Sequence, residues 1–500
     1  MAQALEKNSV VAVIGSGAMG AGIAQVAAVA GHTVRLFDTR PDAVERAIAG
    51  IAKALARLVE KGRMGAADAD LARERLHAMR ALDEAKDAVL VVEAVVEDLD
   101  VKRTLFADLE GIVKPDCILA TNTSSISVTA IGATLKRPER LVGMHFFNPV
   151  PLMALVEVIS GVATDKAVAD TVYATAAAWG KNPVHAKSTP GFIVNRVARP
   201  YYAEALRLLL EQAADPATID AVMRDCGGFR MGPFELMDLI GHDVNYSVTQ
   251  SVFHAYYGDP RFAPSVVQQE LVNAGFLGRK TGRGFYRYGD DVTPPQAQAE
   301  AAQPCLAQLT LGGADPLTAA LKARLRDAGI AGECAATIFL TDGRSATQRA
   351  LDEGRPDTIL FDLLLDPAKA TRIALARADR CSDAAWNAAV GLFQQAGFTV
   401  SRLDDVPGMA VMRTVAMLAN EALDAVNQGV CSAQAVDIAM QKGVNYPRGP
   451  LAWADAIGLH HVFTVLANLG DTYGEDRYRV SPLLRRKLAA NPDGARIHAQ

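Results

Sequence analysis

The residues best suited to do chemistry in this chain flank one Pro-rich turn, in the stretch 141–159, LVGMHFFNPVPLMALVEVI. His145 and Glu157 lie equally far from Pro151. The apolar runs on either side read as strands. Asn148-Pro149-Val150-Pro151 cannot continue them, because each Pro fixes φ and lacks an N–H. In a hairpin centred near Pro151, symmetric positions face each other and point to one side of the sheet, so an imidazole and a carboxylate meet. A His held by a carboxylate makes a proton-accepting base: the carboxylate sets the tautomer and stabilises the imidazolium. The same pair also suits a core histidine satisfied by a structural ion pair, and this stretch alone leaves both open.

A second group fits phosphate binding. The apolar run Val10–Ile14 leads into Gly15-Ser16-Gly17-Ala18-Met19-Gly20 and a helical stretch to Ala30. In strand, G-x-G-x-x-G, helix, the first Gly makes the turn, the second admits a pyrophosphate against the backbone, and the third lets helix and strand pack. The helix start offers free N–H donors to phosphate. A second strand, 33–37, ends in Asp38, an acid placed to bond both ribose hydroxyls of NAD and to repel a 2′-phosphate. Arg40 follows and could instead accept that phosphate.

These groups need a sheet to position them. Residues 89–96 read as a buried parallel strand carrying Glu93, and 118–121 as another, followed by Asn122-Thr123-Ser124-Ser125. Ligands of open α/β sheets bind beyond the carboxyl ends of strands. Glu93, Asn122, Ser124 and His145 all fall there. Residues 41–82 read as helical and charged. Lys53, Arg57 and Lys61 recur at i, i+4 and i+8, which suits either a solvated helix face or a docking face for an anionic substrate handle. From residue 164 the pattern becomes long helices, at 167–179, 192–213, 217–226 and 233–257. Asn195 sits in an apolar setting that requires it to find partners. Residues 289–304 have linker composition.

Composition excludes several classes. Half of the 500 residues are apolar, 21% are charged, and the net charge is −5, so no basic field invites nucleic acid. The six Cys show no C-x-x-C spacing for zinc or disulfides, which fits a reducing compartment, and no metal is expected. No 18-residue apolar run spans a membrane, and residues 1–9 are too short and polar for a signal peptide. These features give an expected cytoplasmic location.

The chain repeats itself. Residues 406–413 (VPGMAVMR) match 189–196 (TPGFIVNR) at an offset of 217. The same offset aligns Glu204 with Glu421, Asp220 with Asp437, Gly232-Pro233 with Gly449-Pro450, and Gly241 with Gly458. An ungapped register over this span indicates a duplicated helical domain. Met412 then stands where Asn195 does, and residues 305–403 read as a reduced α/β remnant without a cofactor loop. The expected layout is a doubly wound α/β Rossmann-type domain (1–187), an all-α helical domain (188–288), a linker (289–304), the remnant (305–403) and a degenerate second helical copy (404–500).

Together, G-x-G-x-x-G with Asp38, NTSSI at 122–126, HFFNPVPLMALVEVI and TPGFIVNR resemble the NAD-dependent L-3-hydroxyacyl-CoA dehydrogenases over about residues 8–288. The resemblance implies NAD as cofactor and acyl-CoA as substrate, with His145 the base, Glu157 its partner, and Ser124 and Asn195 on the substrate oxygen. It implies that Asn148 positions nicotinamide or substrate, and that Gly15, Gly17, Ala18, Met19, Gly20, Asp38, Glu93, Lys102 and Asn122 hold NAD. Lys61, with Lys53, would meet the CoA phosphates. The long two-copy layout resembles the branch linked to phenylacetate breakdown, which implies 3-hydroxyadipyl-CoA. A general short-chain 3-hydroxybutyryl-CoA enzyme and a catalytically silent NAD-binding protein are the alternatives. Single-copy members would pair helical domains between subunits. Here 407–458 is expected to pack on 190–241 within one chain, and a homodimer stays open.

Overall fold

The computed structural model describes residues 3–40, 42–305, 310–312, 316–327, 337–492 and 494–498. The chain divides into two compact units, residues 1–194 with 428–444, and residues 195–427 with 445–500. No described helix is long and apolar enough to cross a membrane. No disulfide joins the described cysteines, and Cys334 lies outside the described residues.

The first unit is built on an eight-stranded sheet: β1 Val10–Ile14, β2 Thr33–Phe37, β3 Leu76–Ala78, β4 Leu90–Glu93, β5 Ile118–Thr121, β6 Leu141–Phe146, β7 Leu155–Ser160 and β8 Asn182–Lys187. Their spatial order is β3-β2-β1-β4-β5-β6-β7-β8. β1 to β6 run parallel, and β7 turns back antiparallel to β6 with β8 parallel to it. β4, β5 and β6 are buried at every residue, as parallel strands covered on both faces must be. β6 and β7 pair in the register Met144–Val158, His145–Glu157 and Phe146–Val156.

Four local expectations change. Residues 41–82 are not helical throughout: helices Ala43–Glu60 and Ala66–Glu74 are followed by β3, a three-residue edge strand too short to show a period of two. β8, Asn-Pro-Val-His-Ala-Lys, closes the other edge, where Pro is tolerated. The helix expected over 192–213 starts at Val194, after Phe192 adopts a left-handed φ of 47°, and resumes as Arg199–Leu210 with Pro200 in its first turn. The helix expected over 233–257 is two, Pro233–Ile240 and His242–Ala255, divided at Gly241 with φ 98°.

Residues 428–444 of the second helical copy belong to the first unit, where Gly443 lies against Val194. Helix Ala433–Gly443 lies on β7 and β8. The Lys187 N–H donates to the Val430 carbonyl at 2.9 Å, and a Cβ at Gly443 would come within 2.6 Å of Leu155.

The rest of the second copy meets the expectation. Within the second unit, helix Val411–Asn427 packs on helix Arg199–Leu210. The contact is reciprocal under the 217-residue offset. Arg196 Nε donates to Glu421 at 2.5 Å, and its counterpart Arg413 Nε donates to Glu204 at 2.7 Å. Arg261 donates to Glu421 at 3.0 Å, and its counterpart Tyr478 donates to Glu204 at 2.9 Å. This is the self-complementary pattern of a two-fold interface, drawn into one chain. Gly241 and Gly458 match in conformation, with φ of 98° and 99°.

The second unit also holds a five-stranded sheet: β9 Thr310–Leu311, β10 Thr337–Leu340, β11 Thr358–Phe361, β12 Arg372–Arg377 and β13 Thr399–Arg402, in the order β13-β12-β11-β10-β9. β12 is antiparallel to β11 and parallel to β13, as β7 is to β6 and β8. The offset therefore runs on upstream through this sheet. It places Asp362 at the position of His145 and Ala374 at that of Glu157.

Candidate active site

β6 delivers His145 and β7 delivers Glu157. Nδ1 of the imidazole stands 2.6 Å from Oε2 of the carboxylate, and both side chains are buried. The other carboxylate oxygen accepts the Ile193 and Val194 N–H groups, each at 3.0 Å. The left-handed pair Gly191 and Phe192, with φ of 74° and 47°, turns the chain just before those amides. An ionised carboxylate only accepts, so Nδ1 carries the proton and the lone pair of neutral His145 lies on Nε2. Phe147 and Phe192 flank the imidazole with ring centroids 4.5 and 5.9 Å away, giving it apolar walls.

The neighbouring strand ends converge by hydrogen bonding. Asn122 Oδ1 accepts the Phe146 N–H at 2.9 Å, which ties the end of β5 to the residue after His145. Glu93 is enclosed at the end of β4. Its carboxylate is enclosed and already accepts from Lys102 Nζ at 2.6 Å, Thr121 Oγ1 at 2.7 Å and the Val95 N–H at 2.7 Å. Lys102 is enclosed with it, so these two side chains brace the sheet edge.

The carboxylate open at this edge is Glu97, with its side chain 37% exposed. It accepts from Thr123 Oγ1 at 2.6 Å, from the Ser124 N–H at 2.9 Å and from the Ser125 N–H at 3.1 Å, and Lys102 stands 3.3 Å away. Burial would push its pKa up, but these donors and the Lys102 charge outweigh it and hold the carboxyl below its ordinary value. Sequence reasoning missed Glu97. The available signal was an acid beside the helix cap Asp98, just past a buried strand. Ser124 is half-buried in the same loop, and Asn148 is exposed in the turn after β6.

The glycine loop meets the geometric demands of a dinucleotide. A Cβ at Gly20 would lie 1.8 Å from the Gly15 carbonyl oxygen, and one at Gly15 would lie 2.4 Å from that of Ala94. At Gly17 a Cβ would meet nothing within 4 Å, which leaves room above the start of helix Ala18–Ala30. Ala18 and Met19 form that first turn. Asp38 accepts from the Ser16 N–H at 3.0 Å, from Ser16 Oγ at 2.7 Å and from Arg40 Nε at 3.2 Å. Burial opposes its ionisation, but the Arg40 and Ser16 bonds prevail and hold it well below the usual carboxylate range. A cavity of about 620 Å³ opens here, lined by Gly15, Gly17, Asp38, Arg40, Ala94 and Val101 among others. These residues fit NAD.

Asn195 is half-buried in the first turn of Val194–Val197, at the start of the second unit. Lys53 and Arg57 are exposed on helix Ala43–Glu60, and Lys61 is exposed immediately after it. Among the described residues no cluster of three His, Cys, Asp or Glu side chains could hold a metal.

At the equivalent place in the second sheet, one residue does the structural part of this work. Asp362 is buried and accepts the Ala410 N–H at 2.9 Å, the Val411 N–H at 2.7 Å and the Met412 N–H at 2.9 Å. Ala410 and Val411 are the counterparts of Ile193 and Val194. The turn keeps its carboxylate while the imidazole is gone.

Comparison with known proteins matches residues 10–189 to the NAD binding domain of 3-hydroxyacyl-CoA dehydrogenase, and residues 191–288 and 408–496 to its C-terminal domain. Residues 338–407 match the 3-hydroxybutyryl-CoA dehydrogenase reduced Rossmann-fold domain. The chain is 46% identical to 3-hydroxyadipyl-CoA dehydrogenase of Escherichia coli K12, over 95% of this chain and 97% of that one. A probable 3-hydroxybutyryl-CoA dehydrogenase of Bacillus subtilis is 43% identical, covering 56% of this chain and 98% of its own. A crystal structure of 3-hydroxybutyryl-CoA dehydrogenase from Escherichia coli K12 superposes with a TM-score of 0.87 at 44% identity, covering 97% of this chain and 99% of that one.

Proposed function

The chain belongs to the 3-hydroxyacyl-CoA dehydrogenase family, and from that premise we propose that its substrate is 3-hydroxyadipyl-CoA, within aromatic (phenylacetate) degradation in the cytoplasm. It is an NAD-dependent oxidoreductase that converts a 3-hydroxyacyl-CoA to the 3-oxoacyl-CoA. The observation that carries the finer reading is the similarity to the 3-hydroxyadipyl-CoA enzyme through both copies, 95% of the chain. The superposable structure of a 3-hydroxybutyryl-CoA dehydrogenase favours the short-chain alternative. A panel of 3-hydroxyadipyl-, 3-hydroxyhexanoyl- and 3-hydroxybutyryl-CoA decides between them: the adipyl reading requires the highest kcat/KM with the first.

In the proposed mechanism His145 Nε2 receives the proton of the 3-hydroxyl. Bound NAD supplies the hydride acceptor. As positive charge builds on the imidazole, Glu157 offsets it at Nδ1, in a pocket with apolar walls that strengthen the pair. Ser124 and Asn195 donate to the substrate oxygen. Asn148 positions the reacting groups. Gly17 admits the pyrophosphate and Asp38 accepts from the ribose. Lys53 and Lys61 take the CoA phosphates, with Arg57 on the same face, so Lys61→Ala raises KM for the thioester and weakens its salt dependence.

A further inference from the structure

The second unit contains a partly enclosed cavity of about 220 Å³, several times the ~30 Å³ share of one water molecule. Four arginines line it, Arg199, Arg207, Arg261 and Arg477, and no acid does. Two of them are answered from outside the lining: Arg207 by Glu475 at 2.9 Å, and Arg261 by Glu421 at 3.0 Å and by Asp424. Arg477 stands 3.7 Å from the same Glu475 and makes no hydrogen bond to it. The buried Nε–H groups of Arg261 and Arg477 have no hydrogen-bond partner among the described residues. Arg199 is 5% exposed and donates to the Asn195 carbonyl at 2.8 Å and to Thr249 Oγ1 at 3.0 Å. No carboxylate among the described residues forms an ion pair with it. A buried cation without a counter-ion is a costly arrangement.

We propose that this cavity is a carboxylate-binding site, with Arg199 supplying the charge that no carboxylate pairs and with Arg261 and Arg477 lining it. A single arginine without an ion pair suits a singly charged carboxylate better than a phosphate. Burial also draws the Arg199 pKa below its ordinary value.

The carboxylate has two possible sources, a free small dicarboxylate or the far end of the acyl chain. The second rests on the 3-hydroxyadipyl reading. Arg199 follows Asn195 by four residues and its side chain reaches back to the Asn195 carbonyl at 2.8 Å, and the terminal carboxyl carbon of 3-hydroxyadipyl-CoA lies three bonds beyond its hydroxyl carbon.

Two measurements on the full-length protein test the site. The first is the ratio of kcat/KM for 3-hydroxyadipyl-CoA to that for 3-hydroxyhexanoyl-CoA, which lacks only the charge-bearing end. Any general disturbance of Asn195 cancels in this ratio. If the acyl chain is the source, Arg199→Gln lowers the ratio about 10- to 100-fold and Arg477→Gln lowers it several-fold. The second is thermal unfolding with sodium adipate against sodium chloride at equal ionic strength. If the source is a free dicarboxylate, adipate raises Tm in the wild type and not in either variant, while the ratio is unchanged. An unchanged ratio with no adipate-specific shift overturns the proposal. Should Arg199→Gln not fold, Arg477→Gln and the wild-type adipate shift decide alone. A wild type that prefers 3-hydroxybutyryl-CoA sinks the substrate reading but leaves the adipate result to judge the site.

Discussion

Replacing Glu157 with Gln changes one atom and separates orientation from packing. One carboxylate oxygen faces two N–H donors, from Ile193 and Val194, and the other faces His145 Nδ1. The amide nitrogen of Gln cannot face two donors, so the carbonyl oxygen must keep that side. The NH₂ is then aimed at Nδ1, which has to become an acceptor, and the imidazole proton moves to Nε2. The base is held in the wrong tautomer and has also lost its counter-charge. The expected loss in kcat is on the order of 10²–10⁴, the worth of a positioned base. The cost in stability is about 1–2 kcal/mol, because the backbone donors stay satisfied and only charge assistance goes. NADH-coupled turnover and thermal unfolding measure the two effects. The second sheet supplies the control. Both oxygens of Asp362 accept from backbone donors, so Asp362→Asn turns an NH₂ toward an N–H and costs about 1–3 kcal/mol. Turnover should hold, since no imidazole depends on it. If Glu157→Gln keeps kcat within about threefold, the dyad is structural like its counterpart and His145 is not the base.

Three further outcomes follow from the geometry. Met412 is fully buried, so Met412→Asn should cost about 1–3 kcal/mol for an unpaired amide and leave NADH binding at one site per chain, read by unfolding and by titration. Asp38→Ala releases Arg40 and removes the ribose acceptor, so kcat/KM should fall with NAD and rise with NADP; an unchanged ratio would remove Asp38 from cofactor choice. Glu97 has its folded pKa below the unfolded value, so its stabilisation is present above about pH 4.3 and is lost as acidification passes the folded value. Glu97→Gln should therefore flatten the acid limb of Tm between pH 6 and 3, and an unchanged limb would show that its donors do not favour the charged form.

Much of this protein is legible in sequence because the relevant signals are local or periodic. The hairpin around Pro151 pairs His145 with Glu157 by symmetry, since residues equidistant from the centre of an antiparallel connection face each other. The glycine loop declares itself by spacing, and the duplication by one ungapped offset. Edge strands were harder: β3 and β8 are short or polar and carry no clean alternation. Tertiary structure alone decided the rest, because contacts between distant segments leave no period in the chain. It buried Glu93 with Lys102 and left Glu97 open at the sheet edge, four residues apart in sequence. It moved 428–444 into the first unit. It joined Arg196 to Glu421 and Arg413 to Glu204, where the offset identifies equivalent residues but not which copy each will meet. It also set Asp362 where His145 stands in the first sheet, its carboxylate on the amides that Glu157 holds there. Sequence specifies each strand and helix by the chemistry of neighbours, whereas the partners of a buried charge are chosen by the one fold that desolvates and satisfies all of them together.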